Sequence, residues 1–203
     1  MSIRVINDAG SIERTVDKLY TSYLLNQNNI NTPKTFVMRG PESSSRFIKN
    51  YNFDSLLIYK PLFGSQGDNI RLIRGSDDFN QLDNATNIYY FQEYLENIPN
   101  YDYRVLVINN KNDTNVFYMT RYGETFINNV SKGAICTREK LDDEVIEMAI
   151  KSSRLLNINF CGVDIIRYKD KYYVIEVNSI PAWKGLQEVE SKQISDYIIN
   201  LLQ

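Results

Sequence analysis

The sequence predicts an α+β fold on three observations. Strand-like and helix-like segments are mixed along the 203 residues, but they do not alternate strictly as they would in a doubly wound sheet. Two runs near the C-terminus, 162–168 and 172–178, alternate in polarity and are rich in β-branched and aromatic residues, which predicts an antiparallel hairpin. A hydrophobic content of 43% allows a sizeable core, in one domain or in two small ones.

The N-terminal half begins with a helix and continues with short strands. Apolar residues recur at helical spacing from Ile12 to Leu24, and Ser11 is a suitable cap, so we expect one helix over 11–29. Pro41 suits the start of the next helix. The further elements expected in this half are a strand over 35–38, a helix over 42–50, a strand over 55–60, a glycine-containing loop over 63–68, a strand over 70–74, a helix from 76 and a buried strand over 88–92.

The C-terminal half predicts a larger sheet. Two runs with strand composition, 103–108 and 115–121, flank a polar turn. The segment 142–156 has the apolar spacing of an amphipathic helix. The C-terminal hairpin follows, and a helix over 194–202 closes the chain.

Composition and charge exclude several classes of function. A net charge of −2 provides no basic surface for nucleic acid and no polybasic membrane patch, and the sequence has neither an apolar run of about 18 residues nor a signal peptide. Cys136 and Cys161 form no CxxC motif and no disulfide framework, which fits a reducing cytosol, so we expect a cytoplasmic protein. The absence of histidine excludes Ser-His-Asp and Cys-His catalysis, histidine zinc sites and histidine general bases.

The C-terminal hairpin places oxygen ligands on one face of a sheet. If Tyr168 pairs with Tyr172, Asp164 lies opposite Glu176, and Asn178 lies two residues along the same strand on the same face. Two carboxylates about 5 Å apart repel each other unless a cation is present. Carboxylate and amide oxygens suit Mg²⁺, which is commonly held by one or two carboxylates together with substrate phosphates. The alternative is an exposed hairpin edge with solvated charges.

A second candidate site follows the strand that ends at Lys60. The loop after this lysine contains Gly64 and Gly67, and such a loop can offer backbone N–H groups to a phosphate while the lysine supplies a charge. The loop matches neither the Walker A pattern nor GxGxxG, and an ordinary hairpin turn is the alternative.

Taken in order, the motifs resemble the ATP-grasp superfamily, and most closely the RimK-like amino-acid ligases. The resemblance implies an ATP-grasp fold, in which two α+β subdomains sandwich the nucleotide. It implies an N-terminal helical segment over 1–32, a small subdomain with the phosphate loop over 33–93, and a large subdomain with the metal site over 94–203.

The resemblance also implies the roles of individual residues. Those implied for ATP binding are Lys18 in an early Asp-Lys helix, Lys60, the loop residues Gly64, Ser65, Gln66 and Gly67, and the hinge residues Gln92, Glu93, Tyr94 and Leu95. Those implied to hold Mg²⁺, with Mn²⁺ as an alternative metal, are Asp164, Glu176 and Asn178. Those implied near the γ-phosphate and the acceptor are Arg104, Arg121, Asn129 and Lys132. Lys132 stands where arginine is usual, so any bidentate phosphate contact is lost.

The implied function is that of an ATP-dependent carboxylate–amine ligase, which forms an amide through an acyl-phosphate and releases ADP and phosphate. The implied substrates are a small-molecule or peptide carboxylate and an amino acid, with a glutamate-like one favoured. Relatives of this type usually carry a further N-terminal domain, so we expect part of the usual substrate-binding surface to be absent or to be supplied by a homodimer or a partner subunit. The alternative function is a nucleotide-binding module that is inactive without a partner.

Overall fold

The computed structural model describes residues 4–64, 67–84, 86–111, 113–123, 128, 130 and 133–202. The strands are β1 (Thr35–Arg39), β2 (Leu57–Lys60), β3 (Arg71–Ile73), β4 (Ile88–Glu93), β5 (Tyr101–Asn109), β6 (Thr114–Tyr122), β7 (Ile135–Thr137), β8 (Phe160–Tyr168) and β9 (Lys171–Asn178). The helices are α1 (Ala9–Val16), α2 (Lys18–Gln27), α3 (Pro41–Asn50), α4 (Ser76–Asn80), α5 (Asp143–Leu155), α6 (Lys184–Val189) and α7 (Ile194–Ile199), and a 3₁₀ turn (Asn200–Leu202) follows α7. No helix in the described ranges combines the length and the apolar character needed to span a bilayer.

The chain divides into two compact units. Pro33–Glu96 form the small unit, and Met1–Thr32 together with Asn97–Gln203 form the large unit. The small unit contains a sheet with strand order β1-β4-β2-β3, and the large unit contains a sheet with strand order β7-β6-β5-β8-β9. All neighbouring strands are antiparallel, so the predicted α+β class is confirmed.

An aromatic core covers one face of the small sheet. Phe36 of β1 and Phe91 of β4 pack against Phe47 of α3, with ring centroids 5.0 and 6.0 Å from that of Phe47. Because side chains alternate along a strand, the neighbours Thr35 and Gln92 lie on the opposite face of the sheet. Burial of the aromatic face therefore determines which residues the other face presents.

The two faces of the large sheet bury different apolar clusters. One face, with Val105 and Val163, packs against Val145 of α5. The other face, with Leu106, packs against Leu186 of α6. Strand alternation places the even-numbered residues of β5 on this second face, beyond its apolar cluster.

The N-terminal segment is two helices, so the prediction of one helix over 11–29 was wrong. Asp17 interrupts it with an extended backbone (φ −85°, ψ 101°), and its side chain accepts hydrogen bonds from the N–H groups of Leu19 and Tyr20 at 2.9 and 3.0 Å. The cap of α1 is Asp8, not Ser11. An aspartate that binds nearby backbone N–H groups favours a helix start over a helix interior, and this makes Lys18 the first residue of α2.

The register of the C-terminal hairpin differs from the prediction near the turn and agrees with it at the candidate site. Tyr168 pairs with Lys171 rather than with Tyr172, because the turn contains two residues instead of three. An irregularity between Asp164 and Ile165 inserts one extra residue in β9, and beyond it Asp164 lies opposite Glu176 as expected. The bulge therefore compensates for the shorter turn.

Candidate functional site

Antiparallel register gathers charged residues on the second face of the large sheet. Arg121 of β6 lies opposite Asp102 of β5, and Arg104 of β5 lies opposite Asp164 of β8. Glu176 of β9 lies opposite Asp164 on its other side. Four strands thus bring residues that are far apart in the sequence to one surface.

Four of these residues form a buried charge cluster: Asp102, Arg104, Arg121 and Asp164. The guanidinium of Arg121 binds Asp102 in a bidentate manner, with Nε donating to Oδ1 at 2.6 Å and Nη2 donating to Oδ2 at 2.9 Å. Arg121 is 3% exposed and Asp102 is 4% exposed, so this pair lies out of contact with bulk water. Two parallel hydrogen bonds between such groups fix orientation as well as charge.

Asp164 contacts both arginines. Its Oδ1 lies 2.6 Å from Arg104 Nε and 3.0 Å from Arg121 Nη2, and its Oδ2 accepts a hydrogen bond from Arg104 Nη2 at 3.1 Å. Both contacts of Oδ1 are at ion-pair distance. Within the described part of the chain, Asp164 Oδ1 and Arg104 Nε and Nη1 are buried without a hydrogen-bond partner.

The cluster holds two negative and two positive groups near neutral pH. Burial raises the pKa of Asp102 to about 6, the charge of Asp164 acts in the same direction, and the guanidinium of Arg121 opposes it. Burial alone would lower the pKa of Arg121, but the carboxylates of Asp164 and Asp102 outweigh burial and raise it. Arg121 therefore stays charged, and two carboxylates face two guanidinium groups in the cluster.

Gly162 provides the space for Arg104. A Cβ atom on Gly162 would lie 2.4 Å from Arg104 Nη1 and 3.0 Å from the Cβ of Pro181. Gly162 lies opposite Leu106 on β5, two residues beyond Arg104, so the guanidinium lies over the glycine backbone. Any larger residue here would displace the arginine.

We expect Gly162→Ala to lower the free energy of unfolding by about 1–3 kcal/mol, because the added methyl group overpacks a buried site. Urea unfolding measures the effect. The control is Gly75→Ala, since a Cβ there meets nothing within 4 Å and the backbone is extended, and its expected cost is below about 1 kcal/mol. Equal costs for the two variants would contradict the proposed fit of Arg104 over Gly162.

The predicted metal ligands lie beside this cluster and fit a divalent cation. Glu176 is half-buried, and Asn178 Oδ1 accepts one hydrogen bond, from the N–H of Ile180 at 2.9 Å. The described residues contain no group of three or more His, Cys, Asp or Glu residues arranged to hold a metal. The side chains of Glu176, Asn178 and Asp164 carry oxygen atoms of the kind that Mg²⁺ binds, and Mg²⁺ takes one or two protein carboxylates and obtains its other ligands from substrate phosphates and water.

Lys18 lies near the carboxylate of Glu176. Burial lowers the pKa of its ammonium group, and the charges of Glu176 and Asp17 oppose that shift. Its place as the first residue of α2 follows from the cap that Asp17 forms. The large unit therefore brings Lys18 to the side of the sheet that carries Glu176.

In the small unit, the predicted lysine and hinge residue are joined. Lys60 Nζ donates to Gln92 Oε1 at 2.7 Å, and Gln92 Nε2 donates to Thr35 Oγ1 at 3.2 Å. Gln92 is 2% exposed and lies between β1 and β2, opposite Thr35 and Ile58. This chain of hydrogen bonds fixes the Lys60 ammonium group on the face opposite the aromatic core.

The remaining residues predicted to bind ATP lie partly inside and partly outside the described ranges. The N–H of Glu93 donates to Lys34 O at 2.9 Å and that of Tyr94 to Leu56 O at 2.7 Å, while burial raises the pKa of the Tyr94 hydroxyl. Leu95 is buried, and Gly64 and Gly67 have positive φ angles of 150° and 72°, which favour glycine. Four predicted site residues lie outside the described residues: Ser65, Gln66, Asn129 and Lys132.

The sequence prediction did not assign roles to Asp102, Gly162 and Thr35. The position of Asp102 could have been predicted from the sequence. If the two strands pair from the ends of their polar turn, with Ile108 opposite Asn115, Asp102 lies opposite Arg121. The close approach at Gly162 depends on the conformation of a side chain from another strand, and only the structure shows it.

The family model of the RimK-like ATP-grasp domain matches residues 15–202. The chain is 29% identical over 204 residues to the alpha-aminoadipate–LysW ligase LysX of Saccharolobus solfataricus, which covers 96% of the chain and 72% of that protein. It is 31% identical over 207 residues to the tetrahydromethanopterin:alpha-L-glutamate ligase of Methanocaldococcus jannaschii, which covers 97% of the chain and 69% of that protein.

A solved structure agrees with the fold. The structure of the ATP-grasp ligase PsnB in complex with a minimal precursor, Mg and ADP superimposes with a TM-score of 0.70 at 21% identity, over 98% of this chain and 62% of that one. The chain thus spans about two thirds of the length of these proteins, and the predicted ATP-grasp fold is confirmed. The match of the family model over almost the whole chain shows that this protein belongs to the RimK-like ATP-grasp family.

Proposed function

We propose that the protein is an ATP-dependent carboxylate–amine ligase that forms an amide bond and releases ADP and phosphate. The observation that carries the proposal is the side-by-side placement of Asp164, Glu176 and Asn178 on the face that also holds two arginines. Oxygen donors for a cation and guanidinium groups for an anion are the two elements that phosphoryl transfer to a carboxylate requires. Relatives named as amino-acid ligases support the same class.

In this proposal each group has a binding or positioning role. Glu176, Asn178 and Asp164 hold Mg²⁺, which when bound neutralises developing charge on phosphate oxygens. Lys18 and Lys60 contribute positive charge toward the phosphates, Gln92 to Leu95 bind the adenosine, and backbone N–H groups of the glycine loop bind phosphate oxygens. Asn129 and Lys132 belong to the acceptor side of the site.

The chemistry needs no histidine. An acceptor carboxylate oxygen attacks the γ-phosphorus of ATP, the bond to the β-phosphate oxygen breaks, and ADP leaves. An amine then attacks the carbonyl carbon of the acyl-phosphate, the bond from this carbon to the phosphate oxygen breaks, and phosphate leaves with the proton that the amine nitrogen loses as the amide forms. Arg104 or Arg121 orients the carboxylate or the developing acyl-phosphate, so positioning and electrostatic stabilisation supply the rate enhancement.

The proposed substrates are an acidic amino acid as the amine and a small-molecule or peptide carboxylate as the acceptor. Two relatives are named for the joining of α-aminoadipate or glutamate to an acceptor, which supports an acidic amino acid. We also propose that a second copy of the chain or a partner subunit contributes to the acceptor site. Specific activity that rises with protein concentration would support the homodimer.

The first test is a thermal-shift titration of the purified protein with ADP, with and without Mg²⁺. ADP at about 100 times its dissociation constant is expected to stabilise the folded state by about 2.7 kcal/mol, and this shift requires Mg²⁺. ADP release with glutamate and a panel of carboxylates then tests the reaction, and amide product from the protein alone would reject the inactive-module alternative. A melting temperature that ADP and Mg²⁺ leave unchanged would count against the proposed nucleotide site.

A further inference from the structure

The buried charge cluster contains one contact that a bound cation has to displace. We propose that Arg104 and a divalent cation compete for the carboxylate of Asp164, so that cation binding transfers the Arg104 guanidinium from Asp164 to the anionic part of the ligand. The inference deepens the proposed function and rests on it for the identity of the cation site. It assigns the two arginines different tasks: Arg121 stays in place and Arg104 is exchanged.

Arg121 is the fixed member because a second carboxylate holds it. Its Nε and Nη2 both donate hydrogen bonds to Asp102. The contact with Asp164 is an additional one, with Nη2 at 3.0 Å from Oδ1. Loss of the contact with Asp164 leaves the bidentate pair intact. Asp102 is thus a positioning residue for Arg121.

Arg104 has no second carboxylate of this kind among the described residues. Its carboxylate contacts, at 2.6 and 3.1 Å, are both with Asp164, and its Nη1 is buried over Gly162 without a hydrogen-bond partner in the described ranges. A guanidinium offers five N–H donors in a planar fork, so several donors of Arg104 remain for another acceptor.

Asp164 is positioned for the exchange. It lies opposite Glu176 in the register, and its Oδ1 accepts no well-aligned hydrogen bond from the described residues. An ionised carboxylate has about four lone-pair sites, so the oxygen that lies within ion-pair distance of Arg104 also has the capacity to bind a metal. That oxygen already lies 2.6 Å from Arg104 Nε, so a cation bound to it would meet the positive charge of the guanidinium, and the two groups compete for the same atom.

Charge balance determines what else must bind. The cluster has no net charge, so a bare divalent cation would add two positive charges and leave a largely buried guanidinium without its carboxylate, which is costly. An anionic ligand that binds Arg104 removes this cost. The site is therefore expected to take a cation together with a polyanion such as a nucleoside diphosphate, and each should strengthen the binding of the other by the same factor.

The test measures the binding of Mn²⁺ alone by electron paramagnetic resonance, which counts free Mn²⁺, in the wild type and in Arg104→Met. We expect Mn²⁺ to bind Arg104→Met about 10- to 100-fold more tightly, because a guanidinium near a carboxylate affects proton affinity by a factor of this size. The control is Arg167→Met, a half-exposed arginine on the same strand as Asp164 that pairs with Asp170, and its Mn²⁺ affinity should equal that of the wild type.

The outcomes separate this inference from the proposed function. Wild-type binding of Mn²⁺ with ADP, combined with an unchanged affinity of Arg104→Met for Mn²⁺ alone, would overturn the exchange and leave the proposed function standing. Tighter Mn²⁺ binding by Arg104→Met without any ADP binding by the wild type would support the competition between Arg104 and the cation for Asp164, and it would count against ADP as the anionic ligand and against the proposed function.

A second measurement uses the wild-type protein, in case Arg104→Met does not fold. The arginine Nε–H signals are followed by two-dimensional nuclear magnetic resonance during addition of Mg²⁺ and ADP, with Arg104→Lys identifying the Arg104 signal. The Arg104 signal is expected to shift further than that of Arg121, because Arg121 Nε stays bound to Asp102. A shift of Arg121 with a stationary Arg104 would refute the assignment.

Discussion

Arg121→Ala is expected to lower the free energy of unfolding by about 3–5 kcal/mol, which is the usual cost of removing one partner of a buried ion pair. The side chain is 3% exposed and binds Asp102 in a bidentate manner, so its loss leaves a buried carboxylate without its main counter-ion. Asp164 lies in the same cluster and adds repulsion. Urea unfolding measures the effect, and an unchanged m-value shows that the variant changes stability rather than the compactness of the unfolded state.

The matched control is Arg74→Ala. The Arg74 side chain is 64% exposed and its Nη1 lies 3.6 Å from Oδ2 of Asp78, four residues further along the chain, and such surface pairs contribute about 0–1 kcal/mol. The double variant Asp102→Asn/Arg121→Gln should cost less than the sum of its two single variants, because no uncompensated charge remains at the Asp102 position. If the losses in unfolding free energy of the two single variants simply add in the double variant, Asp102 and Arg121 do not act as a coupled ion pair. A loss below about 1 kcal/mol in Arg121→Ala would lead to the same conclusion.

Glu176→Ala is expected to abolish ADP formation, a loss of at least about 100-fold, while the fold stays intact. Glu176 lies opposite Asp164 of β8 and two residues before Asn178 on β9. Removal of one group that stabilises developing charge commonly lowers the rate by about 100-fold or more. A coupled assay for ADP measures the effect, and circular dichroism verifies the fold.

Glu147→Ala controls for the loss of a negative charge. Glu147 lies on α5, is 66% exposed and pairs with Lys151 at 3.5 Å, so its removal should leave ADP formation at the wild-type level. Turnover by Glu176→Ala equal to that of Glu147→Ala would remove Glu176 from the proposed metal site.

Local sequence patterns predicted most of the elements that carry the site. Residue alternation in β5, β6, β8 and β9 indicates strands, and the order of motifs predicted the family, which the comparison confirms. The predicted class of ligase agrees with the relatives. The pairing of Asp164 with Glu176 was correct, although it depended on an assumed turn that the structure does not contain.

The N-terminal helix shows where local patterns fail. Apolar spacing runs through Asp17 without interruption, so periodicity alone predicts one helix. The choice between a helix interior and a helix cap depends on whether the Asp17 side chain binds the N–H groups of Leu19 and Tyr20. The cap that Asp17 forms makes Lys18 the first residue of α2 and places it near Glu176. A pattern of hydrophobic residues does not predict this cap.

By itself the sequence determined the α+β class, the family and the residues eligible for the site, because these depend on residue type, alternation and order along the chain. The tertiary structure alone decided that both arginines bind Asp164, that Asp102 holds Arg121, and that Gly162 makes room for Arg104. Each of these contacts joins residues on different strands. Their distances are determined by sheet register, by the bulge in β9 and by side-chain conformations in a buried site, where an ion pair forms only with the partner that the fold brings within reach.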